Sequence, residues 1–439
     1  MIETELLVVG AGPAGLTAAT EAAGCGIETI LIDEHRGTGG MLRVLGQLPL
    51  DLGNGAVPAS EVRRAMHGDA ERAGVTVIDQ SLVWGIFEDL LAGVLTPAEN
   101  LDIKPQAMIV AAGTADRPMP FAGWTLPYVL NAQEALRLAY DQDALPGRTA
   151  VVASTGGTGV SVALALNAVG LRVTALVESE TLSDGERSAL GVAGIAIHEG
   201  ARIAEARGTD YVRTVVVRGG RGDHAVDANT LVLATGRAPL IELFAVTGCR
   251  LRWDESAGGH VPERSRDLET SVPGLYAVGA SGGLCGLRVA KAEGRLAAAA
   301  VTARLGRARA GSLDAASRDL ATARAADAAA VARETSALWR LEADTVRSAL
   351  ADPDMLLCRC EKVTVQGIHD AIANGAETPG EVKRATRMGM GECQGKTCRP
   401  LLSRAVAEIT GSRLNAIPPL TFRPPVRPVP LEALLRGGE

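Results

Sequence analysis

Residues 5–34 read ELLVVGAGPAGLTAATEAAGCGIETILIDE. The pattern is an apolar strand, a Gly-rich turn, an Ala-rich helix and a second apolar strand that ends in acid. Gly10, Gly12 and Gly15 fill G-x-G-x-x-G, Pro13 and Ala14 lie between the last two, and Asp33 and Glu34 close the second strand. Each glycine has a physical task. Gly10 permits the tight turn, Gly12 lets backbone approach a pyrophosphate, and Gly15 allows close packing of helix on strand. The pyrophosphate then rests on the helix N-terminus, while Asp33, or Glu34 beside it, accepts hydrogen bonds from a ribose. With strand, helix and acid all in place, the stretch sets an α/β dinucleotide-binding unit rather than an incidental Gly-rich turn.

Further along, TGGM at 38–41 follows the acid, and VTVIDQSLVWGIFED, LLAGVLTP and AMIVAAGTADRP read as short strands. TSVPGLYAVGASGG occupies residues 270–283. In this order the motifs resemble the FAD domain of two-dinucleotide-domain flavoproteins. There a Gly-Gly pair opens the path to the flavin, an A-x-G-T type motif closes the first part, and T-x-x-P-G-hydrophobic-aromatic-A-x-G-D is the second signature. The resemblance implies FAD at the first site. It adds Gly40, Met41, Arg43, Val83, Ala112, Gly113, Gly279 and Ala280 to the residues expected at the cofactor. Ala280 departs from the signature, which has an aspartate bonded to the ribityl chain. FAD held with one contact fewer, or another adenine nucleotide, are both open on this residue.

RTAVVASTGGTGVSVALALNAVGLRVTALVESE at 148–180 repeats the strand–turn–helix–strand pattern, with Ser154 where the first glycine belongs, then Gly156 and Gly159. Glu178, at the end of its second strand, is placed to meet an adenine ribose and to repel a 2′-phosphate. NADH binding, and a domain that keeps the fold without a nicotinamide, are both open here. TLVLATGRAP at 230–239 returns the chain to the first domain. The expected organisation is α/β, with two Rossmann-like domains of the glutathione/thioredoxin reductase kind, the second inserted in the first, and a small C-terminal helical domain that carries four cysteines. The FAD domain spans 1–148 and 266–305, the NAD-binding-like domain 149–265, a helical linker 306–350, the cysteine module 351–412 and a Pro-rich arm 413–439.

Composition narrows the function. The chain has 439 residues, 47% hydrophobic and 22% charged, and a net charge of −7. That charge, with four each of Trp, Tyr and Phe, argues against a nucleic-acid surface. No apolar run is long enough to span a bilayer, and MIETELLVVG is acidic where a signal peptide would be basic. The expectation is a cytoplasmic protein whose membrane contact, if any, comes through a partner. There is no C-x-x-C, and Cys25, Cys249 and Cys285 are isolated, which excludes a flavin–dithiol relay and reads as small buried hydrophobes. MLRVLGQLPLDLGNGAVP at 41–58 carries no acid/base cluster, and His35, His67 and the other histidines are scattered. No catalytic residue is assigned.

The remaining four cysteines stand together. LLCRCEKVT and GMGECQGKTCRP give Cys358-x-Cys360 and Cys393-x₄-Cys398, and between them TVQGIHDAIANG and TPGEVKRATRMG read as two short helices capped by Thr. Disulfides fit a cytoplasmic flavoprotein poorly, and neighbours as near as Cys358 and Cys360 bridge badly. Zinc suits four thiolates, although its pairs are more usually C-x₂-C or C-x₄-C. An iron–sulfur cluster needs four thiolates too, and it passes on singly the electrons that a flavin accepts in pairs. Residues 355–412 resemble the [2Fe-2S] domain named after bacterioferritin-associated ferredoxin. That resemblance implies Cys358, Cys360, Cys393 and Cys398 as cluster ligands. Lys383, Arg384, Arg387 and Lys396 lie near them in sequence, as a solvated face or as charges that raise the reduction potential.

The whole chain, including GWTLPYVLNAQEA at 123–135 and the arm IPPLTFRPPVRPVPLEAL, resembles the A-type (α) subunits of bacterial heteromeric dehydrogenases. Opine oxidases, D-hydroxyproline dehydrogenase, dye-linked L-proline dehydrogenase and hydrogen cyanide synthase are the members in view. Tyr128 replaces their usual glycine. The resemblance implies electron transfer beside an amino-acid-oxidase-type β subunit that carries its own FAD and oxidises a C–N bond of an amino acid, imino acid or opine. It also implies an FMN between subunits, a downstream electron acceptor and a small third subunit. Two other readings stand beside it: a self-sufficient NADH-dependent reductase, against which Ser154 and Ala280 count, and a cofactor-bound scaffold or redox sensor. The arm reads as a disordered tail or, given its Leu, Phe and Val, as an extended strap.

Overall fold

A computed structural model describes residues 1–51, 55–220 and 222–435. Residues 52–54 of the stretch 41–58, and residues 436–439 of the arm, lie outside the described residues.

The opening strand, Ile2–Val9, is the centre of the first sheet. It pairs in parallel with Thr29–Ile32 on one side, in the register Leu6↔Thr29, and with Asn100–Val110 on the other, where Val9 faces Val110. Thr76–Ile78 extends one edge. On the other, Ala92–Leu95 and Leu82–Ile86 form an antiparallel flap, and Leu275–Ala277 pairs in parallel with the strand that ends at Val110. Leu6, Leu7 and Val8 are all fully buried, because elements cover both faces of the sheet and the strand has no polar side to show. Helix Pro13–Ala23 covers one face together with helix Leu287–Arg304. Gly294 permits their approach, since a Cβ there would come within 2.4 Å of the Ala14 carbonyl oxygen.

The second sheet is wholly parallel, in the order Val129–Asn131, Thr230–Ala234, Thr149–Ser154, Arg172–Glu178, Ala196–Glu199. A three-stranded antiparallel sheet, 202–227, closes its far side. The chain leaves the first unit along Thr114–Asp116 and returns along Arg237–Pro239, which pair antiparallel as a two-stranded hinge, so the inserted unit starts and ends earlier than the expected 149 and 265, Val129–Asn131 already being a strand of its sheet. The α/β architecture with one dinucleotide unit inserted in another, expected from the repeated pattern, is the observed one.

After the second unit returns, a single helix runs from Ser312 to Leu350, 39 residues and so roughly 60 Å long. It buries Leu320 in the first core, Leu338 and Leu341 against Met119, Val346 in the second core and Ala349 in the cysteine module. The module's helices are Val365–Ala373, Pro379–Thr386 and Arg399–Thr410. Thr364 caps the first by accepting from Gly367 N at 3.2 Å, and Thr378 with Glu381 forms a reciprocal capping box on the second. The arm leaves the module with Leu420 buried in its core and Phe422 packed on it, and its Val426 enters the core of the first sheet. There Val426 N donates to Trp84 O at 2.8 Å. The arm is thus a strap, and it ends in a helical turn, Leu431–Leu435, that the Pro-rich sequence did not foretell.

Candidate functional site

The Gly-rich turn opens into a cavity of about 830 Å³, inside the roughly 300–1,000 Å³ of cofactor sites. Gly10 lies at φ +101°, and a Cβ there would come within 2.4 Å of Ala111 O. At Gly15 a Cβ would lie 1.9 Å from Gly10 O, so the helix meets the strand only if this residue is glycine. Gly12 has no protein atom within 4 Å of a would-be Cβ and lines the cavity, so its bare backbone faces the space where a pyrophosphate would rest. Pro13, Ala14, Glu34, Gly40, Met41, Arg43, Val83, Ala112, Gly113, Gly279 and Ala280 line the same cavity, as does Gly10. Gly15 and Asp33 stand behind it.

Asp33 is 8% exposed, and its carboxylate accepts from Ala11 N at 2.7 Å and His35 N at 2.9 Å. It fixes the turn, which leaves Glu34 as the acid that reaches the cavity. Beyond the expected Glu34 and Arg43, charged residues that sequence reasoning missed stand at the cavity. Arg427 of the arm meets Glu34 at 2.7 Å, Arg43 pairs with Asp141 at 3.0 Å, and Arg137 has Glu34, Arg43, Arg427 and Asp116 as charged neighbours. Burial pushes the Asp116 carboxyl up to about 6, although it accepts from Gln133 N at 2.7 Å. Cys285, expected to be a small core residue, lies on the cavity wall, where burial pushes its thiol up to about 12. The Gly cradle, the long cavity and the single ribose-side acid fit a dinucleotide.

The second Gly-rich loop is differently disposed. Glu178 is fully buried, and its carboxylate accepts from Ser154 Oγ at 2.6 Å, Gly156 N at 2.9 Å, and Gly157 N and Glu180 N at 3.0 Å. Ser154 Oγ in turn accepts from Gly159 N at 2.9 Å. The loop amides that would hold a pyrophosphate thus hold the protein's own carboxylate. The long helix covers them. A Cβ on Gly156 would lie 3.1 Å from Arg333 O, and one on Gly236 would lie 2.4 Å from Leu338. Glu334 pairs with Arg237 at 2.7 Å and Arg333 with Glu186 at 3.0 Å, pinning the helix in place. Glu178 is therefore not the ribose acid that its position at a strand end suggests.

The four late cysteines converge. Cys398 hydrogen-bonds to Cys358 and to Cys393, all three as free cysteines, which draws those two thiols below the usual range and holds its own above it. Cys393 also contacts Cys360, the exposed member of the set. Backbone N–H groups of Glu361 and Gly389 point at Cys358 sulfur, and those of Gly395 and Thr397 at Cys393 sulfur. Such donors stabilise thiolate charge around a cluster. Left-handed backbone at Arg387, Gly389, Gln394 and Gly395 makes these loops possible. The sulfurs make a chain of pairs, a donor set that fits a two-iron cluster. Lys383 donates to Thr421 O and Arg387 pairs with Glu361, while Lys396 is buried and donates to Val426 O at 3.0 Å. Burial, with Arg427 beside it, pushes Lys396 down to about 8. Lys396 and Thr397, inside the Cys393–Cys398 loop, also line the nucleotide cavity.

The BFD-like [2Fe-2S] binding domain family matches residues 356–408. The A-type subunit of opine oxidase from Rhizobium meliloti (strain 1021) is 29% identical, over 97% of this chain and 97% of that protein. Hydrogen cyanide synthase subunit HcnB of Pseudomonas protegens is 28% identical, over 97% of this chain and 96% of that one. The L-proline dehydrogenase structure from P. horikoshii has the same fold, with a TM-score of 0.76 at 20% identity, across 99% of this chain and 79% of that one. The pyridine nucleotide-disulphide oxidoreductase family matches residues 4–303, more than half of the sequence, and the chain belongs to that family.

Proposed function

We propose that this chain is the electron-transfer subunit of a heteromeric oxidoreductase acting on the C–N bond of an amino acid, imino acid or opine. FAD occupies the first cavity and a [2Fe-2S] cluster is held by Cys358, Cys360, Cys393 and Cys398. One observation carries the reading: the loop between Cys393 and Cys398 supplies Lys396 and Thr397 to the wall of the nucleotide cavity, so the two centres share a boundary. When bound, the flavin supplies two-electron acceptance and the cluster one-electron delivery. No acid/base group is assigned to substrate oxidation, which belongs on an amino-acid-oxidase-type partner; an FMN between subunits and a small third subunit extend the same proposal. No helix among the described residues is long and apolar enough to cross a membrane.

The closed second loop argues against a self-sufficient NADH reductase, because an incoming nicotinamide nucleotide would have to displace both Glu178 and the helix above it. The test is anaerobic reduction of the purified protein, followed in the visible spectrum. Amino- or imino-acid substrate should reduce it only when the partner subunit is present, and NADH alone should not. Rapid bleaching by NADH would reverse the assignment. Iron and acid-labile sulfide are expected in the isolated chain, and serine at any of the four cysteines should abolish the cluster signal.

A further inference from the structure

Between the first two cysteines stands Arg359, whose surroundings tie the cysteine module to the nucleotide cavity. Its guanidinium lies over the Trp124 ring at 4.3 Å and donates to Val129 O at 3.3 Å and to Trp124 O. Trp124 is 1% exposed and donates its Nε1–H to Leu356 O at 2.9 Å. The Arg359 side chain thus bonds the Trp124 backbone, and the Trp124 side chain bonds the backbone three residues before Arg359. The stretch before Val129 and the cysteine loop form a reciprocal lock in which a planar cation rests on an aromatic face. Glu134 and Cys360 act on Arg359 electrostatically. Glu134 lines the nucleotide cavity, so Arg359 is coupled to that cavity through Glu134 and to the first cysteine pair through its own backbone.

Resting on the cluster assignment above, we propose that Arg359 is the positioning residue of this junction. Its stack on Trp124 fixes the first cysteine pair against the cavity wall. Its charge beside Cys360 raises the cluster's reduction potential, so that electrons run from flavin to cluster. A positive charge held next to a cluster stabilises the reduced, more negative state. Lysine would keep that charge but not the planar stack or the fork of donors. A residue serving only as an anchor would show no difference in potential between lysine and glutamine.

The test uses the full chain with its cofactors. Arg359→Lys, Arg359→Gln and Glu134→Gln are compared with wild type for iron and sulfide content, EPR line shape and midpoint potential in an EPR-monitored titration. Arg359→Gln should shift the potential downward, Arg359→Lys should hold it near wild type with an altered line shape, and Glu134→Gln, at an exposed position, should shift it upward. An intact cluster with unchanged potential in Arg359→Gln overturns the proposal; should that variant lose its cluster, an unchanged potential in Glu134→Gln does so instead. Absence of iron and sulfide from wild type overturns the cluster assignment itself, and this inference with it.

Discussion

His260 packs edge-on against Trp253, 5.0 Å between ring centroids, and burial pushes its pKa down to about 4, with Arg399 and Arg117 adding to the effect. The folded state therefore holds the ring neutral, while an unfolded chain takes up a proton near pH 6.5. The corresponding stability is complete above about pH 6.5 and is lost as pH falls through about 4, a change of about 2–3 kcal/mol. Urea midpoints measured at pH 7 and pH 4 should differ by this contribution, and His260→Gln should remove it. Ala280 offers a second test at the same scale. On the proposed FAD occupancy, Ala280→Asp restores a ribityl acceptor, and one added hydrogen bond of about 1 kcal/mol tightens FAD by about fivefold in fluorescence titration. The sequence shows the Ala280 departure directly. It does not show that Asp33 and Glu178 turn back onto their own Gly-rich loops, because an acid at a strand end looks the same whether it faces a ribose or an amide. Nor does it show the backbone at Tyr128, which keeps φ at +66° although it is not glycine.

Among elements, the helix Ser312–Leu350 has the widest role, and its Glu342 is the hub. That carboxylate, fully buried, meets Arg117 beside the two-stranded hinge and Arg404 of the module's last helix, each at 3.2 Å. Removing its charge leaves Arg117, 4% exposed, without a counter-ion. Breaking one side of a buried pair costs about 3–5 kcal/mol, so Glu342→Gln should lower the thermal midpoint markedly by calorimetry. The same variant should weaken docking of the cysteine module, read as faster iron loss to a chelator. An unshifted midpoint would show that Arg117 finds its compensation elsewhere. Periodicity and the Ala-rich composition made this segment legible as helix. What it covers was not legible, because Arg333, Glu334 and Leu338 meet a loop whose residues lie more than 90 positions away in the chain. The two Thr-capped helices of the module were legible because capping is local.

For the whole molecule, the nucleotide cavity is built by both ends of the sequence. Its floor, from the first fingerprint, could be read by eye; its outer wall, Lys396, Thr397, Val426 and Arg427, comes from segments that no local pattern marks as cofactor residues. Deleting the chain from Ile417 onward should speed nucleotide dissociation by at least about tenfold, since a multi-contact strap is lost, and Arg427→Ala should do so by less. Recovery of flavin fluorescence after dilution measures both rates. A truncated protein that releases its nucleotide at the wild-type rate would show that the strap is not part of the cavity wall. Arg427 and Glu34 touch across a sequence separation of 393 residues. During synthesis the first fingerprint emerges early, but its unit is completed only when Leu275–Ala277 and Leu287–Arg304 join it, and the cradle then stands open on its arm side until Arg427 is made. Firm capture of the nucleotide then waits for the arm, and a polypeptide clipped before it should yield a folded but leaky protein.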